Sequence, residues 1–215
     1  MTKADKFIFR AEDHKYFHGG IEVPGVTRLL QDYDLINFDG VPKERLNYKS
    51  ALGTAVHYAI KLYNEQNLDE DSMHKAVKPY FQAYKKFCEI HKYEPRHTEH
   101  RLYSKKWQFA GTMDSQGLFF WKKNDLESII DWKCSWGMYP ANGPQTAGYQ
   151  ILFEEEYKIK IKARFGLQLK PTGAFEIIEY SDPADKTVFL SALTLHHWKV
   201  RNGLIKPETI KGSIQ

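Results

Sequence analysis

This 215-residue sequence predicts an α/β fold, with a mixed central β-sheet flanked by helices and an N-terminal helical cap. Three observations carry that prediction. The spacing of apolar residues changes from helical to alternating and back again along the chain. The resulting order is helices, three strands, a helix, two strands and a helix, which describes an α/β sheet rather than a bundle or a sandwich. The composition is 42% apolar and 27% charged, with 13 Phe, 13 Tyr and 5 Trp. A chain of this length and make-up fills a core without disulfide or metal staples.

In chain order, Lys6–Arg10 alternate weakly and His18-Gly19-Gly20 marks a turn, so the start is expected to be a short hairpin or ordered arm. Val23–Thr27 holds Pro24 and Gly25 and reads as a loop, with Thr27 placed to cap a helix through Leu30. A second helix is expected from Pro42 to Asn67, where Leu52, Ala55, Val56, Ala59, Ile60 and Tyr63 recur at helical spacing. Ala76, Tyr80, Ala83, Tyr84 and Phe87 predict a third helix over 70–91. Three strands follow at 98–104, 111–121 and 126–133, the later pair joined by a turn at Lys122-Lys123-Asn124-Asp125. Pro144 opens a helix that runs to Tyr157. Next, Lys158, Lys160, Lys162 and Arg164 alternate with Ile159, Ile161, Ala163 and Phe165, which predicts a strand with one basic face. That face would either line a nucleic-acid groove or stand solvated. A strand at 173–180 and a helix at 183–200 complete the order.

Several classes are excluded. No apolar run approaches the roughly 18 residues of a membrane span. Met1–Lys6 lacks the apolar stretch of a signal peptide, so a reducing cytoplasm is the expected compartment. Two cysteines, Cys88 and Cys134, build no disulfide framework and cannot supply four ligands to an iron–sulfur cluster. The net charge of +4 permits an anionic partner without requiring one.

The chemistry-bearing residues gather in four places. In Ile129-Ile130-Asp131-Trp132-Lys133 a strand puts Asp131 and Lys133 on one face and turns Ile130 and Trp132 to the other. Alone, that pair fits a surface ion bridge, worth little, as well as a working site. Gly111-Thr112-Met113-Asp114 opens the preceding strand, and the hairpin brings Asp114 toward Asp131. Two ionised carboxylates at close range repel unless a cation lies between them, and oxygen ligands suit Mg2+ or Mn2+. Alone, Asp114 also fits an ordinary strand-start carboxylate. Gly53, Thr54 and His57 share a helical face. His57 is then either a third ligand or a satisfied core histidine. Gln145 and Tyr149 share the next helix face, either toward a phosphate or as an ordinary polar surface. Cys88-x-x-His91 and His97-x-x-His100 have zinc-like spacing, but they straddle a helix end and a strand start, and no structural zinc is expected.

Taken together, Gly-Thr-x-x-His (53–57), Gly-Thr-x-Asp (111–114), Asp-Trp-Lys (131–133) and Gln-x-x-x-Tyr (145–149) resemble the PD-(D/E)XK nuclease superfamily. The likeness is closest to its RecB-like branch, which includes phage-type recombination exonucleases, and covers about residues 21–200. Pro24-Gly25-Val26-Thr27 and Phe165-Gly166-Leu167-Gln168-Leu169 share in it. It implies a restriction-endonuclease-like core in one nuclease domain over 1–215. Residues 1–95 would form the arm and helical part, 96–200 the catalytic sheet core and 201–215 a tail.

The resemblance further implies a metal-dependent DNA exonuclease of recombination or repair, using one or two Mg2+ or Mn2+ ions. Asp114, Asp131 and Lys133 match the catalytic set. His57, Asp114, Asp131 and the Trp132 backbone carbonyl match the metal ligands. Thr54, Gln145 and Tyr149 match positions that contact nucleic acid. Glu99 stands where some relatives carry an acidic residue. Cys134 replaces the Ser or Thr common after the lysine, and the cluster-binding cysteines of some relatives are missing. No Walker-type loop is present, so a helicase or an annealing protein would come from another chain. DNA ends are the expected substrate. A structure-specific endonuclease and a non-catalytic DNA-end-binding module are the alternatives.

Overall fold

The computed structural model describes residues 6–135 and 137–210. Strands β1 (Phe7–Arg10), β2 (Lys15–His18) and β3 (Ile21–Val23) form a small antiparallel sheet. The expected turn at Gly19-Gly20 joins β2 to β3, with both glycines at positive φ. A further turn, with His14 at φ 55, creates a third strand where only a hairpin was expected. Helix α1 (Val26–Asp32) follows, then α2 (Lys43–Asn64) and α3 (Lys78–His91).

Two expectations in this half are corrected. Thr27 lies inside α1 and caps nothing; Gly25 is the N-cap and makes no side-chain bond. The third helix begins at Lys78 instead of residue 70. Asp69 accepts from Asp71 N–H and its carbonyl from Ser72 Oγ, local bonds that compete with helix. Pro79 also lacks the N–H that an interior helical position needs, so it sits in the first turn.

The main sheet has the order β4-β5-β6-β7-β8, formed by Glu94–Ser104, Phe109–Trp121, Asn124–Lys133, Ala163–Leu169 and Phe175–Glu179. Only β6 and β7 run parallel; the other pairs are antiparallel. A mixed sheet of this kind is what the sequence predicts. β5 and β6 are joined by a two-residue turn at Lys122-Lys123, both at positive φ, as the twist of a hairpin favours. Helix α4 (Asn142–Tyr157) makes the crossover from β6 to β7, and α5 (Ala184–Arg201) follows β8.

The strand expected over 158–165 is corrected. Lys158 ends α4 in a left-handed conformation, φ 59. Glu154 Oε1 takes the Ile161 N–H and the Glu127 carbonyl takes that of Lys162, so the ladder starts only at Ala163. The chain must reverse from helix to sheet here, and the reversal uses up the alternating residues. Lys158, Lys160 and Lys162 are exposed, but Arg164 is buried, so no continuous basic strand face forms.

Helices cover both faces of the sheet. On one face, Val56 and Ile60 of α2 and Tyr84 and Phe87 of α3 pack against Phe119, Ile130, Trp132, Phe165 and Leu167. On the other face, Leu29 and Leu30 of α1, Leu152 and Phe153 of α4 and Phe189 and Leu193 of α5 pack on Phe109, Met113 and Ile129. α4 is buried on nearly all sides, and Gly148 is the point where the Phe189 ring reaches its backbone; a Cβ there would lie 2.8 Å from that ring.

Arg164 locks this layer. It donates to the Gly143 carbonyl at 2.7 Å and to Asp185 Oδ2 at 2.9 Å, tying β7 to the starts of α4 and α5. Breaking a buried pair leaves one charge uncompensated. Arg164→Met is therefore expected to lower stability by about 3–5 kcal/mol in urea unfolding.

Glu22 N donates to the Glu208 carbonyl, and Arg10 and Lys15 pair with the Glu208 carboxylate, so the chain end returns to the first sheet. The expected tail at 201–215 lies outside the described residues beyond 210, as do Met1–Asp5 of the segment that lacks a signal peptide's apolar stretch. No helix among the described residues is long and apolar enough to cross a membrane.

Candidate functional site

The site forms where β5 and β6 part. Their ladder ends at Ser115–Ile130. Beyond that pair Asp114 Oδ2 accepts the Trp132 N–H at 3.0 Å, so a side chain replaces the missing ladder bond. β5 also changes hand at this point. Met113 packs with the α4 side, whereas the Ser115 hydroxyl meets Tyr93 on the α3 side at 2.6 Å. Across β4, Thr98 pairs with Ser115 and His100 with Met113, while Glu99 between them has φ 49. A left-handed glutamate inside a strand is a strained conformation of the sort that gathers at functional sites.

That irregularity brings Glu99 to Asp114 and to α2. His57 Nδ1 lies 2.9 Å from Glu99 Oε1 and 3.6 Å from Asp114 Oδ1. One donor atom from each of His57, Glu99 and Asp114 falls within 4.8 Å of the others. The ring of His57 stands edge-on to Trp132, with centroids 6.0 Å apart. Burial alone would push His57 down, but Asp114 and Glu99 outweigh it and raise the imidazole to about 8. Asp114 is itself raised, by burial first, against the pull of His57 and Lys133.

Asp131 and Lys133 share one face and Ile130 and Trp132 enter the opposite core, as the two-residue period requires. Lys133 Nζ lies 2.6 Å from Asp131 Oδ2. The contact is an ion pair rather than an aligned hydrogen bond, and neither Asp131 oxygen has a hydrogen-bond partner among the described residues. Asp131 is completely buried. Burial raises it to about 6, opposed by Lys133 and aided by Asp114. Burial would lower Lys133, yet Asp131 and Asp114 prevail and hold it above its ordinary value, so it is an ammonium at neutral pH.

Gln145 and Tyr149 do lie on one helix face, but both are buried. Gln145 Nε2 donates to Thr27 Oγ1 at 3.0 Å and to the Tyr149 hydroxyl at 3.2 Å. Thr27, read in sequence as a cap, is thus the link between α1 and the start of α4. Its partner lies 118 residues away, and no local signal announces the pairing. Thr54 is exposed and returns its hydroxyl to the Ser50 carbonyl. A Cβ on Gly53 would meet open space.

Lys158, Lys160 and Lys162 lie in the α4–β7 connection, and Arg164 is engaged with Asp185. The zinc-like pairs separate. Cys88 packs against the α2–α3 core, while the His97 and His100 rings lie tilted against Tyr157 on the other face.

The donor set fits a divalent cation. Two carboxylates and an imidazole, Glu99, Asp114 and His57, converge; Asp131, outside that group and paired with Lys133, adds a second buried negative charge that interacts with Asp114. Like charges so placed are relieved by a cation. Oxygen with one imidazole suits Mn2+ as well as Mg2+.

No known protein family matches the chain, and no curated protein does. Solved structures with a similar course of chain include a provisionally named exonuclease from Eubacterium rectale. It is 11% identical, with a TM-score of 0.48, over 86% of this chain and 76% of that one. An alkaline exonuclease from Laribacter hongkongensis is 11% identical, with a TM-score of 0.36, over 84% of this chain and 92% of that one. The Laribacter exonuclease in complex with dAMP is 13% identical, with a TM-score of 0.32, over 85% and 93%.

Proposed function

We propose that this protein is a divalent-metal-dependent deoxyribonuclease of the PD-(D/E)XK type, acting as an exonuclease at DNA ends. The observation that carries the reading is Asp114 at the parting of β5 and β6, with His57 and Glu99 on one side and the Asp131–Lys133 pair on the other. His57, Glu99 and Asp114 would hold the ion, with Asp131 and the Trp132 carbonyl completing its shell. Glu99, the weaker expectation from sequence, becomes a ligand candidate equal to His57. The ion supplies Lewis acidity toward water and a phosphate oxygen.

The protein's own groups do the rest. Lys133 is protonated, so it serves as a hydrogen-bond donor and positive charge for the attacking water and the phosphate, not as a base. Asp131 anchors the Lys133 ammonium and keeps it at the strand end. Trp132, locked in the core, fixes the direction of both neighbours. Gln145, Tyr149 and Thr27 set the start of α4 against α1, and DNA lies along that rim and the exposed Thr54. Lys158, Lys160 and Lys162 add cationic charge for its backbone.

The test is digestion of end-labelled single- and double-stranded DNA with Mg2+ or Mn2+. Loss of end label into short products supports the proposal. Cutting of covalently closed circles would move it to an endonuclease, and binding of ends without cleavage would make it an end-binding module.

A pH dependence follows from His57. Below about 8 the imidazole carries a proton that the ion must displace. Affinity for Mn2+ is therefore expected to rise about tenfold per pH unit between about pH 6, where Asp131 is ionised, and about 8, and then to level off. Calorimetry on both sides of that value measures it, with proton release read from buffers of different ionisation enthalpy.

A further inference from the structure

A second polar group near Asp131 has no partner. The Tyr180 hydroxyl, just beyond β8, is buried and without a hydrogen bond among the described residues, as are both Asp131 oxygens. The sheet sets the two side by side. Asp131 pairs with Gly166 across the parallel β6–β7 ladder. Paired residues on neighbouring strands send their side chains to the same face. The place where a Gly166 Cβ would stand is 3.0 Å from the Tyr180 hydroxyl and ring, and it collides with Met138 Cε. Because Gly166 has no side chain, the Met138 methyl and the Tyr180 ring and hydroxyl share the space beside Asp131. Burial pushes the Tyr180 hydroxyl up, and the Asp131 charge adds to that push, so the phenol remains a donor.

A buried hydroxyl without an acceptor costs free energy, and so does a buried carboxylate whose one charged partner, Lys133, reaches only Oδ2. One water bonded to both groups relieves both. Bulk solvent does not reach the hydroxyl, so it acts through Asp131 and not on a substrate.

We propose that Tyr180 is a positioning residue that hydrogen-bonds Asp131 through one water beside the side-chain-free Gly166 and so orients the carboxylate. As a role in ion binding, this rests on the nuclease reading above. The expected behaviour is that of other partners lying behind metal ligands, whose loss weakens ion binding or activity about 10–100-fold.

Tyr180→Phe removes only the hydroxyl and keeps the ring over Gly166. It is expected to weaken Mn2+ binding about tenfold in calorimetry and to lower kcat by a similar factor with KM for DNA unchanged. Its thermal midpoint is expected to fall slightly, because the hydrogen bond shared with Asp131 is lost, so ion affinity is the readout that decides. A purely structural role would move the midpoint and leave ion affinity alone, and that result overturns the proposal. A crystal structure of the metal-free protein gives a readout independent of catalysis. Tyr180 Oη within hydrogen-bond reach of one water bonded to Asp131 supports the proposal even if no DNA is cut. The hydroxyl bonded elsewhere refutes it even if DNA is cut.

Discussion

Replacing Lys133 by alanine is expected to lower DNA cleavage about 10²–10³-fold, the usual effect of removing one donor aimed at developing charge. The variant should also report on the buried pair. Asp131 is fully buried and Lys133 is its ion-pair partner. Without the ammonium, the carboxyl rises beyond its present value of about 6. A carboxyl raised in the folded state favours folding at low pH, and that contribution is lost as pH rises toward the folded value. The stability deficit of Lys133→Ala relative to the native protein should thus be small near pH 4 and grow through about pH 6 and above. Urea unfolding at both ends of that range measures it. An equal deficit at the two ends would show that Asp131 does not depend on Lys133. Cleavage near the native rate would remove Lys133 from the mechanism.

Asp114 variants should separate ion binding from the strand junction. Asp114 Oδ1 faces His57 while Oδ2 accepts the Trp132 N–H. Asp114→Ala loses both functions. Mn2+ binding should fall by more than the roughly 10–100-fold typical of groups behind the ligands. The orphaned buried N–H should lower stability by about 1–3 kcal/mol. Asp114→Asn retains a carbonyl that can accept from Trp132, so its unfolding free energy should lie nearer the native value while ion binding and cleavage are still lost. Calorimetry with Mn2+ and urea unfolding on the two variants test this. If both bind Mn2+ as the native protein does, Asp114 is no ligand. If both are equally destabilised, the carboxylate does not replace the ladder bond.

Residues close in sequence were the easiest to place. Asp131 and Lys133 share a face, and Trp132 is buried behind them, because a strand alternates every residue wherever it sits. Element order was legible for the same reason, since helix and strand periods are properties of the backbone. Where the chain had to change direction, the pattern misled. Residues 158–162 alternate perfectly in type yet form the exit from α4, and a left-handed Lys158 decides that. Gln145 and Tyr149 occupy one face as expected, but their polar atoms are turned to Thr27.

By itself, then, the sequence determined the mixed α/β order and the pairing of Asp131 with Lys133. Tertiary structure alone decided that Glu99 joins His57 across 42 residues, that Asp114 bridges two parting strands, and that Tyr180 stands over Gly166 beside Asp131. The division has a physical cause. Backbone geometry repeats over two to four residues and can be read locally, whereas these contacts exist only after both helical layers have closed on the sheet and its strands have splayed.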